Sequence, residues 1–193
     1  LNSEEKNDEG FTLVELIVSS LLLALVISVI GGLMYSTQKT EVLVQTTTTA
    51  TTSGQAVISS IENGVRNSEV GLGGSVPVSL TNPSGSDQML TALVVGSGTT
   101  ASTTCQAWYY SASAGTIRYT TSTGAISAPS VTQLATWTQL ATGISPTSGT
   151  SIFSLSGATV NIAYKVSAGL DPSVPFASTV VSRTGTIGTS ACF

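Results

Sequence analysis

Glu15 is the residue that asks for a chemical explanation. It stands directly before LIVSSLLLALVISVIGGLM, residues 16–34, nineteen positions without a charge. At 1.5 Å per residue such a run is long enough to cross a bilayer core as a helix. An acid that close to hydrocarbon costs about 2.5–3.5 kcal/mol even on lenient insertion scales, unless a cation or donor meets it. Its open chemistry is therefore ion pairing rather than proton transfer. The two cysteines, Cys105 and Cys192, are too far apart for a metal knuckle. In an exported protein an even count reads as one disulfide, and two buried free thiols are the alternative.

The sequence has no histidine, which removes the usual general base and zinc ligand. A Ser–Lys pairing is the nucleophilic scheme left open. Lys165, in TVNIAYKV, reads instead as a strand residue facing solvent. No catalytic residue, metal or cofactor is expected. Trp108, Tyr109 and Tyr110 could stack a ligand, but aromatics in alternating strands serve core and cross-strand packing more often.

Charge is scarce: 6 basic and 10 acidic residues among 193, against 30 serines and 30 threonines. Beyond Val70 the charged residues are Asp87, Arg118, Lys165, Asp171 and Arg183, a net of about +1 with no basic run. Binding to nucleic acid through phosphates needs clustered Lys or Arg, so no nucleic-acid partner is expected. A hydroxyl-rich, charge-poor surface suits an extracytoplasmic β-rich module.

The elements that must position these residues follow from the pattern. Residues 1–10, LNSEEKNDEG, read as a leader, with either a non-Met start or a missing upstream piece. No small-residue cleavage site follows the apolar run, so the helix is expected to persist in the mature protein. Past Tyr35 the chain turns polar but keeps helical spacing through Val42, Leu43, Ala50, Val57, Ile58, Ile61 and Val65. One helix over about 12–69 is the simplest reading, with Gly31–Gly32 and the β-branched run TTTTATTS (46–53) as soft places. Glu62, Arg66 and Glu69 have the spacing of a solvated helix face. VGLGG, residues 70–74, is expected to stop the helix.

Strands are expected at 76–80, 88–95, 104–111, 115–121, 134–140, 151–155, 159–166 and 176–184, with CQAWYY and TIRYT forming a hairpin around SASAG. Strands in series without intervening helices imply an antiparallel sheet packed on the C-terminal half of the helix. The fold class is α+β. The divisions are a leader at 1–10, a membrane helix at 11–35, an amphipathic helix at 36–70 and a β-rich head at 71–193.

Gly10, Phe11 and Glu15, in G-F-T-L-V-E followed by an apolar helix, resemble the N-terminal signal of type IV pilins and type II secretion pseudopilins. The resemblance implies cleavage by a prepilin peptidase between Gly10 and Phe11 and N-methylation of Phe11. It also implies a register-setting role for Glu15, which would pair with the new α-amino group of a neighbouring subunit. QAVISSIENGVRNSEVG (55–71) and LATGISPTSGTSIFSLSGATVNIAYKV (140–166) look like larger minor pilins and J-type pseudopilins. The implied protein is a low-abundance structural subunit acting at a filament tip or in initiation. Its implied partners are other pilin subunits, an inner-membrane assembly platform and membrane lipid. It would be a single-pass membrane protein before assembly, with its head outside the cytoplasm, and part of a surface or periplasmic filament afterwards. A membrane-anchored adhesin or binding module that never polymerises is the rival reading.

Overall fold

The computed structural model describes residues 12–69, 77–95, 103–169, 171–182 and 192. Gly10, Phe11 and the VGLGG segment lie outside them. The first element is a single helix, α1 (Leu13–Arg66). It runs unbroken through Gly31–Gly32 and through the threonine run, both of which the sequence marked as soft. Within the run the hydroxyls are satisfied by carbonyls of the preceding turn: Thr51 Oγ1 donates to Thr47 O at 2.8 Å and Ser53 Oγ to Ala50 O at 3.1 Å. Chain contacts divide into two units, Leu1–Val44 and Gln45–Phe193.

α1 ends at Arg66, before the glycines expected to stop it. Ser68 Oγ donates to Val65 O at 2.6 Å, and the Glu69 N–H donates to Leu93 O at 3.0 Å. The backbone is thus taken over by an antiparallel bridge from Ser68 to Val94. A strand partner ends this helix, and no glycine cap is needed.

The strands form two antiparallel sheets rather than one. The first joins β1 (Val78–Thr81), β2 (Gln88–Val95), β3 (Thr103–Ser111), β4 (Thr116–Ser122) and β5 (Thr138–Ala141) in chain order. Between β4 and β5 lies a short helix, α2 (Val131–Thr136). In the second sheet, β8 (Thr159–Ala168) pairs β6 (Ile144–Pro146) and β7 (Phe153–Ser156) along one edge and β9 (Asp171–Val181) along the other. The β3–β4 hairpin falls where CQAWYY and TIRYT placed it, closed through Gly115 at φ +59°.

The strand expected at 134–140 is corrected: its first half is α2, and β5 begins only at Thr138. Ser130 caps α2 by accepting from the Gln133 N–H at 3.3 Å, while Gln133 Oε1 accepts from the Ser130 N–H at 2.9 Å. That reciprocal pair is a capping box, and its S-x-x-Q pattern is present in the sequence. β6 was not expected, and β9 begins five residues earlier than the alternation suggested.

The core lies between the two sheets and the Gln45–Arg66 stretch of α1. Ala50, Gly54, Val57, Ile61, Gly64 and Val65 supply the buried face of the helix. Leu90, Trp108 and Tyr119 sit opposite one another across β2, β3 and β4, with the Trp108 and Tyr119 rings 5.6 Å apart. Both faces of β3 are covered. Trp108 and Tyr110 face the main core, whereas Ala107 and Tyr109 pack with Met89 under Ile126, Leu134 and Trp137. The three aromatics are packing residues.

Gln88, 4 % exposed, ties the sheets together. Its Oε1 accepts from the Ile152 and Phe153 N–H groups at 2.6 and 3.0 Å, and its Nε2 donates to Phe153 O at 3.0 Å. A buried amide so fully bonded avoids the desolvation cost of an unpaired polar group.

Candidate processing and assembly site

Thr12 starts the helix and Glu15 sits in its first turn. Thr12 Oγ1 accepts from the Glu15 N–H at 3.3 Å, and Thr12 O accepts from the Leu16 N–H at 3.2 Å. Threonine is a favoured N-cap because its oxygen satisfies one of the four orphan donors of a helix start. An acid in that turn also meets the positive end of the helix dipole. Neither contact engages the Glu15 carboxylate. Among the described residues no hydrogen bond or ion pair reaches it.

Every described residue from Leu13 to Val44 is exposed. Leu13 is 76 % exposed, Leu21 65 % and Leu33 65 %, and none of the leucines, isoleucines or valines of this stretch enters the core. Apolar area left uncovered at this scale marks a surface for lipid or protein. α1 is long and apolar enough to cross a membrane. Val42 and Leu43, counted by their spacing with the amphipathic face, are also exposed, and the buried face begins at Ala50.

Residues 6–31 match the family model described as the prokaryotic N-terminal methylation motif. This match supports a type IV pilin-like protein. No curated protein and no solved structure matches it. The matched residues include Gly10, Phe11 and Glu15. The motif is the site at which prepilin peptidase cuts, so that enzyme is an implied partner of this pilin-like protein. The motif belongs to proteins that serve as filament subunits, anchored in a membrane before they reach the surface. Among the described residues there is no group of three or more His, Cys, Asp or Glu that could hold a metal ion.

The C-terminal half of α1 in the pilin-like protein is fixed by features the spacing of apolar residues did not reveal. Gly54 and Gly64 both lie in the buried face. A Cβ on Gly64 would stand 2.7 Å from Trp108 Cζ2, and one on Gly54 would stand 2.8 Å from Phe176 Cδ2. Each glycine is a notch for a ring. Trp108 Nε1 donates to Ser60 Oγ at 2.9 Å, and the Tyr164 hydroxyl donates to Gly54 O at 2.7 Å. Burial pushes the Tyr164 hydroxyl well above the ordinary phenol range, so it stays a donor. Glu62 accepts from Ser178 Oγ and meets Arg66 Nη2 at 3.5 Å, so one of the charges assigned to a solvated face also ties α1 to β9.

Cys105 and Cys192 form a disulfide that closes a span of 87 positions. Cys192 is fully buried against Leu93 and Ile126, and its carbonyl accepts from the Ile126 N–H at 3.1 Å.

Proposed function

We propose that this protein is a minor pilin or pseudopilin, a structural subunit that enters a pilus or secretion pseudopilus through its N-terminal helix and works at the tip or in initiation. The observation that carries this reading is Glu15: an acid in the first turn of an uncovered apolar helix, inside the methylation motif, whose carboxylate has no partner among the described residues. Cleavage between Gly10 and Phe11 creates a new α-amino group, N-methylated on Phe11. In a growing filament that amine on one subunit meets Glu15 of the next, and the pairing fixes the axial register. The exposed leucines, isoleucines and valines then bundle, replacing the lipid that covered them.

The size of the head supports a low-abundance role. The unit Gln45–Phe193 holds most of the chain, which is a heavy load for a repeating shaft subunit. The Cys105–Cys192 disulfide supports a head outside the cytoplasm, since such bonds persist in oxidising compartments. Besides the peptidase, the partners in this reading are other pilin subunits, an inner-membrane assembly platform and membrane lipid. The function is assembly, and no catalysis is assigned to the chain.

Two measurements test the reading. Mass spectrometry of the cell-surface protein should find a terminus at methylated Phe11, and an uncut Gly10–Phe11 bond would favour a non-polymerising anchored module. Glu15→Val should insert into membranes at least as well as the wild type, because it removes an expensive acid. It should be depleted from sheared filaments by immunoblot. Wild-type levels of the variant in filaments would remove the proposed role of Glu15.

A further inference from the structure

The charged residues of the head are few, yet two of them line one cleft. Asp87 and Arg118 border a cavity of about 380 Å³ between the β2–β4 region and α2. No ion pair joins them. Each is instead held rigidly by neutral groups. Asp87 Oδ2 accepts from the Tyr109 hydroxyl at 2.8 Å, and Oδ1 accepts from the Ala112 N–H at 2.7 Å. A carboxylate has about four acceptor positions, so each oxygen keeps one to offer.

Arg118 Nη1 donates to Ala135 O and Trp137 O at 3.4 and 3.1 Å, and Nη2 donates to Gln139 Oε1 at 3.0 Å. At least two of its five N–H groups remain uncommitted. Tyr109 is fixed as a donor, its hydroxyl pushed up to about 12 by burial, then by its hydrogen bond to Asp87 and the charge of that carboxylate.

Part of the lining, contributed by α2, is apolar. Val131 and Leu134 form it, and Val131 is 88 % exposed, the most exposed large apolar side chain of the head among the described residues. Ser113, also exposed, adds a hydroxyl at the rim. The cleft thus offers a fixed acceptor, a fixed donor fork and an aliphatic surface, with its two charges balanced. A volume of this order holds one or two small rings.

We propose that this cleft is a binding site for a neutral saccharide residue. A pyranose ring presents hydroxyl donors to Asp87, oxygen acceptors to Arg118 and an apolar C–H face to Val131 and Leu134. Anions would meet Asp87 and cations would meet Arg118, so charge balance selects a neutral, polyhydroxylated ligand. The site is separate from the Glu15 helix and does not depend on the chain polymerising.

The test is saturation-transfer difference NMR on the full chain in micelles of a detergent without a sugar headgroup. The probes are the methyl glycosides of glucose, galactose and N-acetylglucosamine, with alanine as the zwitterionic comparison. At least one glycoside is expected to receive saturation, and Arg118→Gln should weaken its binding about tenfold, the scale of a lost charged hydrogen bond. Val131→Asp, which replaces the exposed apolar side chain with a second carboxylate and leaves the core untouched, should abolish the signal while the circular dichroism spectrum stays that of the wild type. Saturation of none of the glycosides would overturn the proposal. So would a glycoside signal that persists in Val131→Asp, or one confined to alanine.

Discussion

The two halves of α1 invert the usual relation between apolarity and burial. From Leu13 to Val44 the helix is rich in leucine, isoleucine and valine, and every residue is exposed. From Gln45 to Arg66 it is dominated by threonine, serine, glycine and scattered aliphatics, yet Val57, Ile61 and Val65 are fully buried. The glycines differ in the same way. Gly31 and Gly32 would meet nothing within 4 Å if given a Cβ, while Gly54 and Gly64 would strike aromatic rings. A helix is buried by what stands across from it, and the most apolar part of this one is the part that the described residues leave exposed.

The largest break in this comparison should come from Trp108→Ala. It empties the fully buried ring seated at Gly64 and is expected to cost about 3–5 kcal/mol in chemical unfolding of the head. Leu22→Ala, a cut in the other half at a residue 60 % exposed, should move the same unfolding curve by less than about 0.5 kcal/mol. Equal losses would mean that the apolar half is packed within its own chain after all.

Next in size is the disulfide. Closing 87 positions gives about 4.6 kcal/mol by the chain-entropy relation, an upper value, with 2–4 kcal/mol typical. Cys105→Ser and Cys192→Ser should lose similar stability and the double variant little more, since either single change breaks the same bond. Additive losses in the double variant would point to separate roles for the two sulfurs.

The glycine pairs give a smaller and sharper contrast. Gly64→Ala and Gly54→Ala should each destabilise the head by about 1–3 kcal/mol, because overpacking outweighs the gain of up to about 1 kcal/mol in helix propensity. Gly31→Ala, with open space around it, should raise helicity in micelles by circular dichroism. A stabilising Gly64→Ala would show that Trp108 can step aside.

The mildest effect is alkaline. Tyr109 ionises only near pH 12 in the folded head, against about 10 for a free phenol, with burial the first cause. Its folded value is raised, so the stability it lends is complete below pH 10 and lost as pH climbs toward 12. Tyrosinate absorbance should follow that window, and Tyr109→Phe should flatten the fall in stability across it.

The sequence made some of this legible and concealed the rest for physical reasons. A nineteen-residue uncharged run after an acid is a local pattern, as are the β3–β4 hairpin and the alternation of β8, and each could be read from neighbouring residues. The end of α1 could not, because it is set by Ser68 pairing with Val94, a partner 26 positions away. The second sheet and the Gln88 bridge to Ile152 and Phe153 are long-range in the same sense. Gly54 and Gly64 carry no apolar signal at all, so a helix face read from hydrophobic spacing passes over them. α2 was a different kind of miss, since its S-x-x-Q cap was present but outweighed by the alternation around LATWTQL. At the N-terminus the motif that holds Glu15 and the helix after it were legible, while the Asp87–Arg118 cleft was not, its two charges lying 31 positions apart.

In the proposed role the protein is also a link in a chain under tension. The Cys105–Cys192 bond closes a covalent ring, so force applied between the two ends of the polypeptide bypasses everything between those residues. At about 3.3–3.6 Å per extended residue, roughly 300 Å of contour length is withheld from stretching. Single-molecule pulling should find that length missing until a reductant is added. Strands β4 to β9 thus cannot be drawn out end to end, and a subunit that yields can give only the part of itself before Cys105.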